Sequence, residues 1–317
     1  MVPRIACIAA VLASAALFPA LARDHAPPAP PAAAPAAPGT IAGAAAPSPM
    51  TSEQRYKARG LQAGPPTLVA RYGADDLRSG QLRMPPGGGP FPVAVIIHGG
   101  CWSADIDTMA GTQAVAEALT ARGIATWNIE YRRLGNPGAG WPGTFEDVAA
   151  GVDYLATLAH DYPLDLSRVA IVGHSSGAHL AAWAASRGRL GPDWTPLITP
   201  RSLVMIDGPA TLAPFVGIDE QVCGRPVIVP LMGGTPDARP AQYALASPAA
   251  HLPLGLRQLL VQGMFTPFMA PYADAARASG DTVEILQVGD DHFDMVTPGL
   301  VAGDRTIDFI ATRAFAP

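Results

Sequence analysis

The chain has 317 residues, of which 15% are charged, and a formal net charge of −5 at pH 7. So mild a charge, with no basic block and no basic patch interleaved with aromatics, argues against a nucleic-acid partner. The His and acidic residues lack metal-ligand spacing such as His-x-x-x-His, and no phosphate-cradling loop precedes a lysine. We therefore expect neither a metal nor a cofactor.

The N-terminus is typical of a secretory signal peptide. Arg4 precedes an Ala-rich apolar segment, residues 5–18, which is too short to span a bilayer as a mature anchor. A small-x-small cleavage site follows at Ala20-Leu21-Ala22, which predicts a signal peptide over residues 1–22. An uncleaved anchor is the alternative. After cleavage we expect no stable membrane insertion, and a periplasmic or extracellular location.

A Pro- and Ala-rich tract follows the signal peptide and continues to about Pro49. Such a composition cannot build a hydrophobic core and favours an extended tether. We assign residues 23–60 to a linker and N-terminal lead-in, and residues 61–317 to one folded domain. Strand and helix patterns alternate in this domain, which predicts an α/β fold with a mostly parallel central sheet and helices on both faces.

The first motif follows a strand predicted at residues 91–97. This apolar run leads into His98-Gly99-Gly100-Cys101-Trp102. Consecutive glycines let backbone N–H groups approach a ligand closely, as is needed to bind an oxyanion. A glycine turn without any such role is the alternative interpretation.

The most informative motif lies at the end of a second strand, predicted at residues 169–172. It reads Gly173-His174-Ser175-Ser176-Gly177 and passes directly into an Ala-rich helix predicted at residues 176–186. Gly-x-Ser-x-Gly between a strand and a helix is the pattern of a nucleophile elbow, in which glycines leave room for a tight turn. An ordinary Gly-rich loop is the alternative.

Further helices are predicted at residues 109–122, 144–158, 271–279 and 304–314, and further strands at 201–206, 258–262 and 282–288. Thr144 and Asp147 have the spacing of a capping box. Residues 208–250 form a Pro- and Gly-rich excursion that could partly roof a site. Apolar residues in two of the loops are candidates for a substrate pocket or for core packing: Trp102, Met264, Phe265, Phe268 and Met269.

A histidine follows the last predicted strand, in the segment Gly289-Asp290-Asp291-His292. A histidine on this loop, downstream of the serine in the chain, is placed to act as a general base. Most of the six other histidines need no special role, and His98 and His174 are expected to shape their loops, so His292 is the candidate base.

Together these motifs resemble the α/β-hydrolase superfamily over roughly residues 65–315. The resemblance is strongest to the branch that carries His-Gly-Gly-x-Trp, which includes carboxylesterases, feruloyl-esterase-like proteins and arylformamidases. It implies the α/β-hydrolase fold with a small lid excursion, and a catalytic domain over residues 61–317. It also implies that Ser175 is the nucleophile and His292 the base. The backbone N–H groups of Gly99, Gly100 and Ser176 would bind the oxyanion.

One position departs from the family pattern. Thr266 stands in the loop after the seventh strand, where the acid is expected, and threonine cannot stabilise an imidazolium with a full charge. Some superfamily members place the acid after the sixth strand, which implies Asp207. Asp290 and Asp291 are awkward partners because they adjoin His292 in sequence. An acid-free site is a further alternative, with Asp207 then an ordinary turn residue.

The sequence thus predicts an exported serine hydrolase that cleaves small carboxylic esters. The alternatives are an arylformamidase-like amide hydrolase and a non-catalytic binding module on a hydrolase scaffold. Cys101 and Cys223 would be able to pair in an exported protein, but their spacing alone leaves a disulfide open.

Overall fold

A computed structural model describes residues 49–289 and 291–316, so the predicted signal peptide and most of the predicted linker lie outside the described residues. The strands are β1 Leu68–Arg71, β2 Ser79–Arg83, β3 Phe91–Ile97, β4 Ala125–Ile129, β5 Leu164–His174, β6 Ser202–Ile206, β7 Arg257–Gln262 and β8 Val283–Gln287. They form one sheet in the order β1-β2-β4-β3-β5-β6-β7-β8. The β1–β2 and β2–β4 pairs are antiparallel, and every other neighbouring pair is parallel.

The α-helices are α1 Ser52–Leu61, α2 Gln113–Thr120, α3 Gly143–Asp153, α4 Leu155–Asp161, α5 Ser176–Ser186, α6 Ile218–Cys223, α7 Ile228–Met232, α8 Pro240–Ala246, α9 Thr266–Ala278 and α10 Val301–Arg313. Helices α6, α7 and α8 make up the predicted excursion. Within the described part of the chain, no helix has the length and apolar character needed to cross a membrane.

Both faces of the sheet are covered, which explains why its central strands are continuous apolar runs. Successive residues of β3 point to opposite faces, so Val95 and Ile96 belong to two separate hydrophobic clusters. Helices α3, α5 and α9 pack on the first face. Helices α2 and α10, together with Tyr56 of α1, pack on the second. The predicted mostly parallel sheet with helices on both faces is confirmed.

The predicted first and last residues of some elements agree with the structure, and those of others do not. Strand β3 and helix α5 begin and end at the predicted residues, whereas the helix predicted at 144–158 is divided into α3 and α4. The predicted capping box is wrong, because α3 has no side-chain cap. Thr144 instead donates its hydroxyl to the Arg132 carbonyl at 2.7 Å, and Asp147 binds the Arg132 guanidinium at 2.7 Å.

The parallel arrangement decides where the motifs meet. Strands β3, β5, β6, β7 and β8 all end at the same edge of the sheet, since parallel neighbours share a direction. In open α/β sheets, ligands bind beyond the carboxyl ends of the strands. The segments that follow these strands carry the glycine pair, Ser175, Asp207, Thr266 and His292.

Candidate active site

Ser175 occupies the sharp turn between β5 and α5, with φ 57° and ψ −125°. This backbone region is costly for a residue with a side chain and is found at functional turns. Glycines make the turn feasible: a Cβ on Gly173 would lie 2.0 Å from the Gly177 carbonyl, and one on Gly177 would lie 2.2 Å from the Ile97 carbonyl. The Ser175 N–H donates to the Ile206 carbonyl at 2.9 Å, which fixes the turn against β6.

His292 and Asp207 are joined by a hydrogen bond of 2.7 Å between Nδ1 and Oδ2. Asp207 is fully buried, and its Oδ1 accepts the backbone N–H groups of Gly263 and Phe265, each at 2.9 Å. A carboxylate held in this way accepts the Nδ1 proton of His292, which leaves Nε2 as the basic nitrogen. Orientation of the base by a buried acid is the geometry of a serine-hydrolase triad.

The segment after β7 contributes to this arrangement without supplying an acid. Thr266 donates its hydroxyl to the Gly263 carbonyl at 2.7 Å, where α9 begins. Two N–H groups of the same segment hold Asp207, as described above. Asp291 is exposed and accepts the N–H groups of Phe293 and Asp294, at 3.0 and 2.9 Å. Asp290 lies outside the described residues.

The glycine pair lies directly beside the serine. A Cβ on Gly99 would come within 3.0 Å of the Ser175 Cβ, so only glycine fits there without a shift. Gly100, Cys101 and Trp102 follow with φ values of 101°, 53° and 52°, which turn the chain sharply away from β3. Ser176 begins α5, and the first N–H groups of a helix have no partner within it. These N–H groups carry the positive end of the helix dipole.

A buried polar network lies next to the glycine pair, around His98. His98 Nε2 lies 2.8 Å from Glu130 Oε1, and the Arg133 guanidinium lies 2.9 Å from the same oxygen. Tyr131 donates its hydroxyl to the His98 carbonyl at 2.7 Å. Burial alone would raise the pKa of Glu130, but His98 and Arg133 keep it below its ordinary value. Glu130 belongs to none of the motifs described above, so the sequence analysis missed it.

Ser175 and His292 line one cavity of about 510 Å³. Of the predicted oxyanion residues, Gly100 lines it as well, and Met264 does so among the apolar candidates. Charged side chains of Glu53, Lys57, Asp107 and Asp291 complete much of the remaining wall. No group of three or more His, Cys, Asp or Glu side chains in residues 49–289 and 291–316 is arranged to hold a metal ion.

The other four apolar candidates lie elsewhere, and one of them, Met269, is fully buried in the core. Trp102 is 1% exposed and packs edge-on against His179 in the core, with ring centroids 5.6 Å apart. Phe265 is 3% exposed and packs against the ring of the candidate base His292, with centroids 5.1 Å apart. Phe268 lines a separate cavity of about 370 Å³. Residues of α1 and α6 line the catalytic-serine cavity instead, among them Lys57 and Val222.

The disulfide that the sequence left open is formed between Cys101 and Cys223, with a Cα–Cα distance of 6.0 Å. It joins the residue after the glycine pair to the end of α6. An ion pair between Asp105 and Arg225 makes a second connection between the same two segments. Both cysteines line the cavity, so the excursion is fastened to its rim.

Comparison with known proteins gives the family and the fold. The model of the BD-FAE family matches residues 82–255. Esterase LipI from Mycobacterium tuberculosis is 33% identical over 99 residues, which are 31% of this chain and 30% of that protein. A probable isoprenylcysteine alpha-carbonyl methylesterase from Arabidopsis thaliana is 30% identical over 94 residues, which are 30% of this chain and 19% of that protein. The chain thus spans less than a third of each of these two relatives.

Among solved structures, esterase B from Lactobacillus rhamnosis superposes with a TM-score of 0.66 at 17% identity. The superposition covers 82% of this chain and 91% of that one. Likeness at this level of identity concerns the fold, and it confirms the predicted α/β-hydrolase architecture.

Proposed function

We propose that this chain, which belongs to the BD-FAE family, is a serine esterase that cleaves small carboxylic esters. The observation that carries the proposal is the 2.7 Å contact between His292 and the fully buried Asp207, at the rim of the cavity that Ser175 lines. The esterases among the matched proteins support the same reaction class.

In the first half-reaction, the Ser175 hydroxyl oxygen attacks the ester carbonyl carbon while His292 Nε2 takes the hydroxyl proton. The oxyanion is bound by the N–H groups of Gly99, Gly100 and Ser176. Collapse of the tetrahedral intermediate breaks the bond to the alcohol oxygen, which receives the proton from His292. The alcohol leaves, and the acyl group remains on Ser175.

In the second half-reaction, water attacks the acyl carbon and gives a proton to His292, and the acid leaves when the proton returns to Ser175. Asp207 stabilises the imidazolium that forms in each half, because its carboxylate carries a full charge next to Nδ1. A non-catalytic binding module was an alternative because Thr266 stands where the acid is expected. With Asp207 as the acid, that reason no longer applies.

The cavity volume of about 510 Å³ favours esters of modest size. We also propose that the protein is exported. The predicted signal peptide over residues 1–22 and the Cys101–Cys223 disulfide support this, because disulfides persist in oxidising compartments.

The proposal is tested by treating the protein with a fluorophosphonate and mapping the adduct by mass spectrometry. We expect loss of fluoride and one adduct on the Ser175 oxygen, with none in Ser175→Ala. Parallel turnover assays with p-nitrophenyl butyrate and formanilide separate an esterase from an amide hydrolase of the arylformamidase kind. An unmodified Ser175, together with no turnover of either substrate, would contradict the proposal.

A further inference from the structure

We propose that helix α1 is part of the catalytic centre and that Tyr56 is a positioning residue within it. Tyr56 would join two segments: the oxyanion loop, residues 98–107, and the histidine loop, residues 291–296. This inference rests on the proposed function for the chemistry that it serves. Helix α1 precedes residues 82–255, which the family model matches, and it falls in the segment that the sequence assigned to a lead-in.

On one side, Tyr56 holds the oxyanion loop. Its hydroxyl donates to Asp107 Oδ2 at 2.9 Å. Asp107 in turn lies against Gly100, since a Cβ on Gly100 would come within 2.9 Å of the Asp107 backbone nitrogen. Burial and the neighbouring Asp107 raise the pKa of Tyr56 well above its ordinary value, so the phenol keeps its proton and remains a donor. A shift of Tyr56 would therefore be passed through Asp107 to Gly100.

On the other side, the Tyr56 ring supports the histidine loop. Its centroid lies 6.0 Å from that of His174 and 5.4 Å from that of Phe293. Those two rings flank His292, at 4.5 and 5.1 Å. The His174 ring nitrogen Nε2 lies 2.9 Å from the His292 carbonyl.

His174 acts as a neutral donor in this contact. Burial, and then the charge of His292, lower the pKa of His174 well below its ordinary value. A neutral imidazole that meets a carbonyl oxygen must carry its proton on the nitrogen facing it. His174 Nε2 therefore donates to the His292 backbone, and Tyr56 packs against the ring that makes this bond.

Helix α1 is itself fixed to the segments around the site. Arg55 pairs with Asp294 at 2.8 Å, and the Arg59 guanidinium donates to the Pro298 carbonyl at 3.3 Å. Gly60 lies close to the turn that precedes α2: a Cβ on Gly60 would be 2.2 Å from the Ala110 carbonyl oxygen. Ser52, Glu53 and Lys57 of the same helix line the catalytic cavity. The helix is thus both a wall of the cavity and a bridge between its two catalytic loops.

The test is Tyr56→Phe, which removes one hydroxyl and keeps the ring. Tyr272→Phe is the matched control: Tyr272 is 4% exposed, and its hydroxyl donates to Gln258 Oε1 at 2.7 Å, in contact with neither catalytic loop. Each variant loses one side-chain hydrogen bond made by a buried tyrosine, so both should lower the melting temperature.

We expect Tyr56→Phe to lower kcat about tenfold with little change in KM, less than the ~10²-fold that a 1 Å misplacement can cost. We also expect faster amide hydrogen exchange in the oxyanion loop, and Tyr272→Phe should change neither kcat nor this exchange. Exchange is measured without substrate, so it tests the inference even if the wild type hydrolyses no ester. Equal kcat and equal exchange in wild type and Tyr56→Phe would overturn the inference. Absence of wild-type turnover and of fluorophosphonate labelling would instead overturn the proposed function.

Discussion

In the proposed mechanism, Asp207 after β6 takes the role that the family pattern assigns to a residue after β7. Its φ of 46° is unusual for a residue with a side chain, and it turns the chain just after β6. In this position one carboxylate oxygen meets His292 and the other receives two N–H groups from the segment after β7. The segment that lacks the acid therefore still orients it.

The sequence could place Ser175 and His292 because each motif is local: a strand, a short turn and the reactive residue. It could suggest Asp207 only through the family, because the contact with His292 joins residues far apart in the chain. The sequence could not tell whether the apolar candidates Trp102, Phe265 and Phe268 line the cavity. Hydrophobic character near a motif does not distinguish a residue that lines the cavity from one that packs behind it.

A buried histidine predicts how stability depends on pH. Burial lowers the pKa of His179 from 6.5 to about 4, although its hydrogen bond to the Ala246 carbonyl acts in the opposite direction. Between these values the unfolded chain binds the proton and the folded chain does not, so stability rises with pH. Lowering the pH from about 6.5 to about 5 should remove about 1.6 kcal/mol of unfolding free energy through His179 alone, because the slope reaches about 1.4 kcal/mol per pH unit only once the unfolded chain is protonated.

The measurement is urea unfolding at several pH values in this range. His179→Gln should reduce the slope of stability against pH, whereas His160→Gln, at an exposed position, should leave it unchanged. His174 contributes a slope of the same sign, so some dependence on pH should remain. Identical slopes for wild type and His179→Gln would contradict this account.

At the scale of elements, strands β3, β5, β6, β7 and β8 were predicted from the sequence, whereas β1, β2 and β4 were not. The central strands β3, β6 and β7 are almost entirely buried and stand out in the sequence as apolar runs. Helix α1 has the sequence SEQRYKARGL, in which Tyr56 and Leu61 are the only large apolar residues. Its contribution therefore comes from specific contacts of Tyr56 and Gly60, and a search for hydrophobic periodicity does not find it.

The disulfide is the strongest link between the lid excursion and the sheet. It closes a loop with a sequence separation of 122 residues. Chain-entropy arguments assign about 4.7 kcal/mol to a loop of about 100 residues, and measured values are commonly about 2–5 kcal/mol. The double variant Cys101→Ser, Cys223→Ser should therefore lower the unfolding free energy by about 2–5 kcal/mol.

Urea unfolding with and without a thiol reductant measures this effect. The reductant should lower the midpoint of the wild type toward that of the double variant, and the variant itself should not respond. Equal midpoints for the two proteins without reductant would show that the disulfide adds nothing to stability.

At the scale of the whole molecule, the site is assembled from both ends of the described chain. Helix α1 near the N-terminus contacts the segment that carries His292 near the C-terminus, and Ser175 lies between them in sequence. These elements meet because the parallel sheet brings the ends of its strands to one edge. Helix α1 and the excursion form further walls of the cavity at that edge. The proposed catalytic geometry thus depends on contacts between distant segments, which the individual motifs do not contain.

The most direct test of the account is the turnover of p-nitrophenyl butyrate by wild type, Ser175→Ala and Asp207→Asn, with Thr266→Ala as the control. Loss of the orienting acid costs a serine hydrolase about 10⁴-fold in kcat, so we expect a loss of that order in Asp207→Asn and at least as great a loss in Ser175→Ala. Thr266→Ala should stay within about twofold of wild type, because its hydroxyl only caps a turn. An Asp207→Asn enzyme that is folded and retains wild-type turnover would contradict the triad described here.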